Sequence, residues 1–118
     1  LVVDDSAGVR QIISASLRGA GYDVSVASSA REAVHLMARR RFDVLVVDYA
    51  MPRSNGVELV RALRRAGIVI PIVMVSGVAD ATDKAKAWEV GVDAYLDKFD
   101  VRRGALTSTI GRLLAGRG

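Results

Sequence analysis

Hydrophobic positions along the chain change period again and again, and each change marks a new element. Val9, Ile12, Ile13, Leu17 and Ala20 fall at helical spacing, with Ser6 placed to cap the start and Gly21 to stop it. Residues 22–26 alternate like an outer strand, and Ser29 with Glu32 three positions on is a capping-box signature ahead of Ala33, Val34, Met37 and Ala38. Residues 44–47 are continuously apolar, as a strand covered on both faces must be, and Val57, Val60 and Leu63 then form a helical stripe that ends near Gly67. A fourth strand is expected over 68–75, with Pro71 near its start, where a missing N–H donor costs least. Residues 81–90 read as a helix closed by Gly91, 94–96 as a short strand, and Leu106, Ile110, Leu113 and Leu114 as the stripe of a last helix. With the strand at residues 1–3, the chain has five strand–helix pairs.

Such alternation implies parallel pairing through right-handed crossovers, hence a three-layer, doubly wound α/β sandwich; five units are too few for the eight-stranded barrel. In an open parallel sheet the carboxyl ends of the strands share one rim. That rim collects Asp4 and Asp5 after the first strand, Asp48 after the third, Ser76 after the fourth and Lys98 after the fifth.

Composition narrows the class. At 118 residues, 51% hydrophobic and 25% charged, residues 1–118 suffice for a single domain with one core. The absence of cysteine excludes a disulfide framework and thiolate metal sites. No apolar run has the length of a membrane span, and Leu1-Val2-Val3-Asp4-Asp5 lacks the basic flank of a signal peptide, so a cytoplasmic protein without membrane contact is expected. The chain opens inside its first strand and stops just past its last helix, as a piece of a longer protein would.

The net charge of +4 rests on 14 Arg and 3 Lys. Local groups at Arg39-Arg40-Arg41, Arg64-Arg65 and Arg102-Arg103 sit near predicted helix ends, where cations complement the dipole or face solvent. Without a recognition motif or stacking aromatics, direct nucleic-acid binding is not expected.

The rim carries the chemistry. Three carboxylates crowded together repel one another unless a cation offsets them, and Mg²⁺, which takes oxygen ligands and needs only one or two protein carboxylates, is the natural partner. Lys98 adds a fixed positive charge and Ser76 a hydroxyl donor. Cation, ammonium and hydroxyl together suit a transferring phosphoryl group, for which Asp48 is a candidate nucleophile.

The set Leu1-Val2-Val3-Asp4-Asp5, Val46-Val47-Asp48-Tyr49-Ala50-Met51-Pro52 with Gly56, Val75-Ser76-Gly77 and Ala94-Tyr95-Leu96-Asp97-Lys98 resembles the response-regulator receiver domain over essentially the whole chain. The resemblance implies a flavodoxin-like sheet in strand order 2-1-3-4-5. It further implies that Asp48 accepts a phosphoryl group from a histidine kinase or phosphotransfer domain. Asp5, Asp48 and the Ala50 carbonyl would ligate Mg²⁺, with Asp4 holding it through water, and Lys98 would contact the phosphoryl oxygens. Ser76 and Tyr95 would act as switch residues, altering the face of the fourth helix, fifth strand and last helix for a downstream effector or fused domain. On this view the chain is a signalling domain, not an enzyme beyond its own phosphorylation and dephosphorylation. Ser6 after the Asp pair and the stretch from Gly91 to Leu106 look similar to receivers fused to chemotaxis-type histidine kinases; free-standing receivers and those of transcription regulators read almost alike.

Taken singly, each residue has a plainer role: Asp48 a turn former, Ser76 a turn start, Lys98 a solvated charge, Tyr95 a core or rim aromatic. Their joint placement favours the phosphoacceptor over a degenerate receiver that acts only through protein contacts. A haloacid-dehalogenase-like hydrolase would need an Asp where Ala50 stands, and a flavin module would need a phosphate cradle where Asp4 and Asp5 stand. Met51-Pro52 is structural, with Gly56 allowing a close turn into the third helix. His35 is a surface residue, and Trp88 partly buried helix packing usable as a fluorescent reporter. Phe99 replaces the Pro usual after the lysine, so a trans Lys98–Phe99 bond is expected. Ala50 and Val78 are apolar and orient no water, which predicts slow self-dephosphorylation.

Overall fold

The computed structural model describes the chain except residues 50, 52–55, 78–80, 102–103 and 117–118, and gives the backbone alone of Phe99. Its elements are β1 (Val2–Val3), α1 (Ala7–Gly19), β2 (Val26–Ala27), α2 (Ala30–Arg39), β3 (Leu45–Asp48), α3 (Gly56–Arg65), β4 (Ile72–Ser76), α4 (Ala81–Val90), β5 (Ala94–Asp97), a one-turn α5 (Lys98–Val101) and α6 (Ala105–Ala115). Five strands pair in the order β2-β1-β3-β4-β5, all parallel. The doubly wound sandwich is therefore as the alternation implied, and its strand order as the resemblance implied.

Strand side chains alternate between faces, which divides the core in two. Val3, Leu45, Val47, Ile72 and Met74 point to one side and pack with Ala33, Val57, Val60, Leu63 and Ala87 of α2, α3 and α4. Val2, Val46, Val73 and Val75 point to the other, against Ile13 and Leu17 of α1 and Leu106 and Ile110 of α6. Each fully buried Val, Leu, Ile or Met among these contributes about 1.5–3 kcal/mol relative to exposure.

Local signals set the helix starts. Ser6 Oγ accepts from the Val9 N–H and Ser29 Oγ from the Glu32 N–H, caps worth about 1 kcal/mol each. The Glu32 carboxylate reaches back one residue further than a standard capping box, accepting from both the N–H and the hydroxyl of Ser28.

Several expectations need correction. The ladder of β2 forms only at Val26–Ala27, although Tyr22 and Val24 do pack inward as alternation demands. Strand β4 begins at Ile72; Val69 is 76% exposed, and Pro71 precedes the strand, its carbonyl accepting from Leu45 N–H. On α1, Ile12 faces solvent and Ser14 is buried; on α2, Val34 is exposed while Leu36 packs inward. Lys98 opens an unexpected helical turn instead of trailing from β5, and no described peptide bond is cis, that of Lys98–Phe99 included. His35 is exposed as expected, but Trp88 is 52% exposed, more surface than packing.

The largest correction concerns Arg64, which the charge pattern assigned to solvent or a helix dipole. Its guanidinium donates to the carbonyls of Ile68, Ile70 and Gly91 and to the Asp93 carboxylate, which also accepts from Ile72 N–H. Gly91, at φ +104°, turns the chain here, and a Cβ on it would press on the Arg64 side chain. One side chain thus ties α3 to the entries of β4 and β5, at the amino-terminal edge of the sheet. Arg40, by contrast, lies over the Phe42 ring and donates to Ser25 Oγ. Arg102 and Arg103 lie outside the described residues.

Candidate functional site

The opposite edge gathers the predicted chemistry. Val3 pairs in register with Val47, so Asp4 and Asp48, one step on, emerge side by side from the two central strands. Asp48 is level with Val75, and Val75 with Leu96, so Lys98 stands two residues beyond Asp48's own level. Its Nζ lies 3.4 Å from Asp4 Oδ2 and 3.4 Å from Asp48 Oδ1. At that distance the ammonium is a cation shared between two carboxylates rather than a tight hydrogen-bond donor to either. Asp4, Asp48 and Ser76 are buried, Asp5 is exposed and Lys98 is 30% exposed, so the nest is walled on the sheet side and open towards solvent.

Oxygens of Asp4, Asp5 and Asp48 come within 4.8 Å of one another. Hard carboxylate oxygens at that spacing fit a small divalent ion such as Mg²⁺. Helix α1 begins just beyond this cluster and offers it the positive end of its dipole, and Ser6 N–H donates to Asp4 Oδ1 at 2.8 Å. Ser76 ends β4 on the same face as Met74, level with Asp97. Tyr95 is half-buried on that face too, packed against the core shared by α3 and α4. Ala50, predicted as a carbonyl ligand, and Val78 lie outside the described residues.

Some residues of the site carried no sequence signal. Arg10 Nη1 donates to the Asp4 carbonyl at 2.7 Å and so fixes the turn that presents the acid pair. Tyr49 hydrogen-bonds through its N–H to Val75, through its carbonyl to Gly56 and through its hydroxyl to Asp83. Gly56 proves essential for proximity rather than for a special φ: a Cβ there would fall on the Asp48 carbonyl oxygen and Val47. An arginine at helical distance from Asp4, or an aromatic beside an acid, is too common a pattern to single these out.

Residues 1–110 match the response regulator receiver domain family. The chain belongs to that family. Receivers are the phosphoacceptor modules of two-component signalling, and that is the role of this one. It is 39% identical to the response regulator MprA of Mycolicibacterium vanbaalenii over 83% of its own length and 42% of that protein. It is 34% identical to the phosphate regulon transcriptional regulatory protein PhoB of Pseudomonas aeruginosa over 83% of itself and 44% of that protein. The receiver thus spans less than half the length of these curated relatives. Among solved structures it superposes on the chemotaxis protein CheY4 of Vibrio cholerae with a TM-score of 0.88 at 34% identity, covering 95% of this chain and 94% of that one. The signal receiver domain of a histidine kinase from Syntrophus aciditrophicus gives 0.86 at 29% identity, with 98% and 88% covered. No helix among the receiver's described residues is long and apolar enough to cross a membrane.

Proposed function

We infer that Asp48 is the phosphoacceptor of this receiver and that Asp4, Asp5 and Asp48, with the Ala50 carbonyl, hold Mg²⁺. One observation carries the reading: three carboxylates share a nest with the Lys98 ammonium, placed 3.4 Å from two of them. Carboxylates crowded in that way beside a cation suit a divalent metal ion and an incoming phosphoryl group.

The reaction needs little covalent chemistry from the protein. An Asp48 oxygen attacks phosphorus in line, the phosphorus–nitrogen bond of a phosphohistidine breaks, and the imidazole leaves with that electron pair. The product is a mixed anhydride on Asp48. When bound, the metal neutralises charge on the phosphoryl oxygens. Lys98 follows the oxygens with its ammonium, Arg10 keeps the Asp4–Asp5 turn in place, and Ser76 donates its hydroxyl to the new group. Tyr95 turns inward behind Ser76, and the face of α4, β5 and α6 changes for an effector protein or fused domain. The partners on this reading are a histidine kinase or phosphotransfer domain upstream and that effector downstream, in the cytoplasm, with no nucleic-acid contact by residues 1–118 themselves. A place at the end of a chemotaxis-type hybrid kinase agrees with the similarity to a kinase-borne receiver and to CheY4. Apolar Ala50 and Val78 support a long-lived phosphoryl group.

Incubation with a small acyl phosphate and Mg²⁺ tests the acceptor. The wild type should gain acid-stable, base-labile label, and Asp48→Asn should gain none. Equal labelling of the two would overturn the assignment.

A further inference from the structure

The side chain immediately after the acceptor reaches across the molecule. Tyr49 is half-buried, and its hydroxyl donates to Asp83 Oδ1 at 2.7 Å, a contact across 34 positions of sequence. Its backbone is held at both ends: the N–H donates to the Val75 carbonyl on β4 at 2.9 Å, and the carbonyl accepts from Gly56 N–H at 2.7 Å. Asp83 stands in the first turn of α4, and the lone Trp of the chain, Trp88, lies on the same helix, 52% exposed. Tyr49 is therefore a rigid strut with its base in the acceptor strand and its tip in α4.

We propose that the Tyr49–Asp83 hydrogen bond is a coupling brace that carries the state of Asp48 directly to the amino-terminal turn of α4, independently of Ser76 and Tyr95. This rests on Asp48 being the phosphoacceptor. Phosphorylation places roughly −1.5 to −2 charges beside Asp4 and Asp5. The Asp48 backbone must adjust to so large a change, and Tyr49 is its next residue. Because the Tyr49 backbone is anchored at Val75 and Gly56 and its phenol at Asp83, a small rotation at its base shifts its tip and takes α4 with it. Packed elements of this kind move between discrete arrangements and do not deform continuously. Tyr49 touches no reacting atom; it is a positioning residue that acts through α4.

The experiment follows Trp88 emission while the chain is phosphorylated with a small acyl phosphate and Mg²⁺, with incorporated label measured in parallel. In the wild type, emission should change as label accumulates. Tyr49→Phe removes only the hydroxyl; it should take up label and lose most of the Trp88 response. Asp83→Ala should behave alike, and the double variant no worse than either single one, the non-additivity expected of two ends of one bond. Asp83→Asn keeps an oxygen that accepts from the phenol and should retain the response, which separates the hydrogen bond from the charge of Asp83 at a helix start. Labelled Tyr49→Phe with an undiminished Trp88 response, or a labelled wild type with none, overturns the brace alone. A wild type that takes no label overturns the phosphoacceptor reading, and the brace falls with it.

Discussion

The two edges of the sheet solve opposite problems with the same chemistry. At the amino-terminal edge, Arg64 and Asp93 form a closed arrangement: the guanidinium reaches three carbonyls and a carboxylate, and that carboxylate also takes the Ile72 N–H. At the carboxyl edge, Asp4, Asp5 and Asp48 gather together, and the Lys98 ammonium stands at the longer distance of 3.4 Å from Asp4 and Asp48. The first edge is finished and holds strands together. The second crowds three carboxylates together at a rim that opens towards solvent, which equips it to bind a cation. Satisfied polar groups build; like charges gathered at an open rim mark a place that receives a ligand.

Perturbing each edge should separate these roles. The largest effect is expected from Arg64→Ala, which strands partly buried carbonyls and should cost about 2–4 kcal/mol in urea unfolding while leaving phosphorylation of the folded fraction intact. An unchanged midpoint would show that water replaces the guanidinium freely. Asp5→Asn should move the other way. With a chelator present it relieves repulsion at the open edge and gains about 0.5–1 kcal/mol, whereas added Mg²⁺ should stabilise it less than the wild type. A loss of stability in chelator would mean that the acid nest is not strained by its own charge.

The smallest effect belongs to a carboxylate outside both clusters, just past the end of β2. The Glu32 carboxyl is held below its usual 4.5 by the Ser28 N–H and then the Ser28 hydroxyl, and it is almost fully solvated. A depressed carboxyl contributes stability above its unfolded value and loses it as pH falls through the folded one. Glu32→Gln should therefore be slightly less stable than the wild type above pH 4.5, and the gap should close in more acidic solution. A gap of constant size from pH 3 to 7 (roughly the carboxylate titration range and above) would assign the effect to geometry instead of charge.

The sequence made the alternation of strand and helix legible because burial on both faces leaves long apolar runs in Leu45–Asp48 and Ile72–Ser76, and because Ser6 and Ser29 cap through neighbours three residues away. The acid nest was legible for a related reason: in a parallel sheet, position just after a strand is position on one rim. Periodicity was weaker at deciding which of two adjacent apolar residues faces inward. Ile12 and Val34 stand near the boundary of their stripes and lost to neighbours that the sheet covers. Contacts that join distant segments left no local trace at all. Arg64 to Gly91 and Tyr49 to Asp83 depend on where crossovers bring helices back, which composition and spacing do not encode. The turn at Lys98–Val101 escaped for want of length, a single turn being too short for any stripe.

Gly56 has a consequence for how this domain tolerates change. Its N–H is bonded to the Tyr49 carbonyl, and its missing side chain lets α3 start against the carbonyl of Asp48 itself. One backbone bond thus clasps the residue after the acceptor to the first residue of α3. Nothing larger than hydrogen fits at that clasp, since even a methyl group would drive helix and acceptor apart.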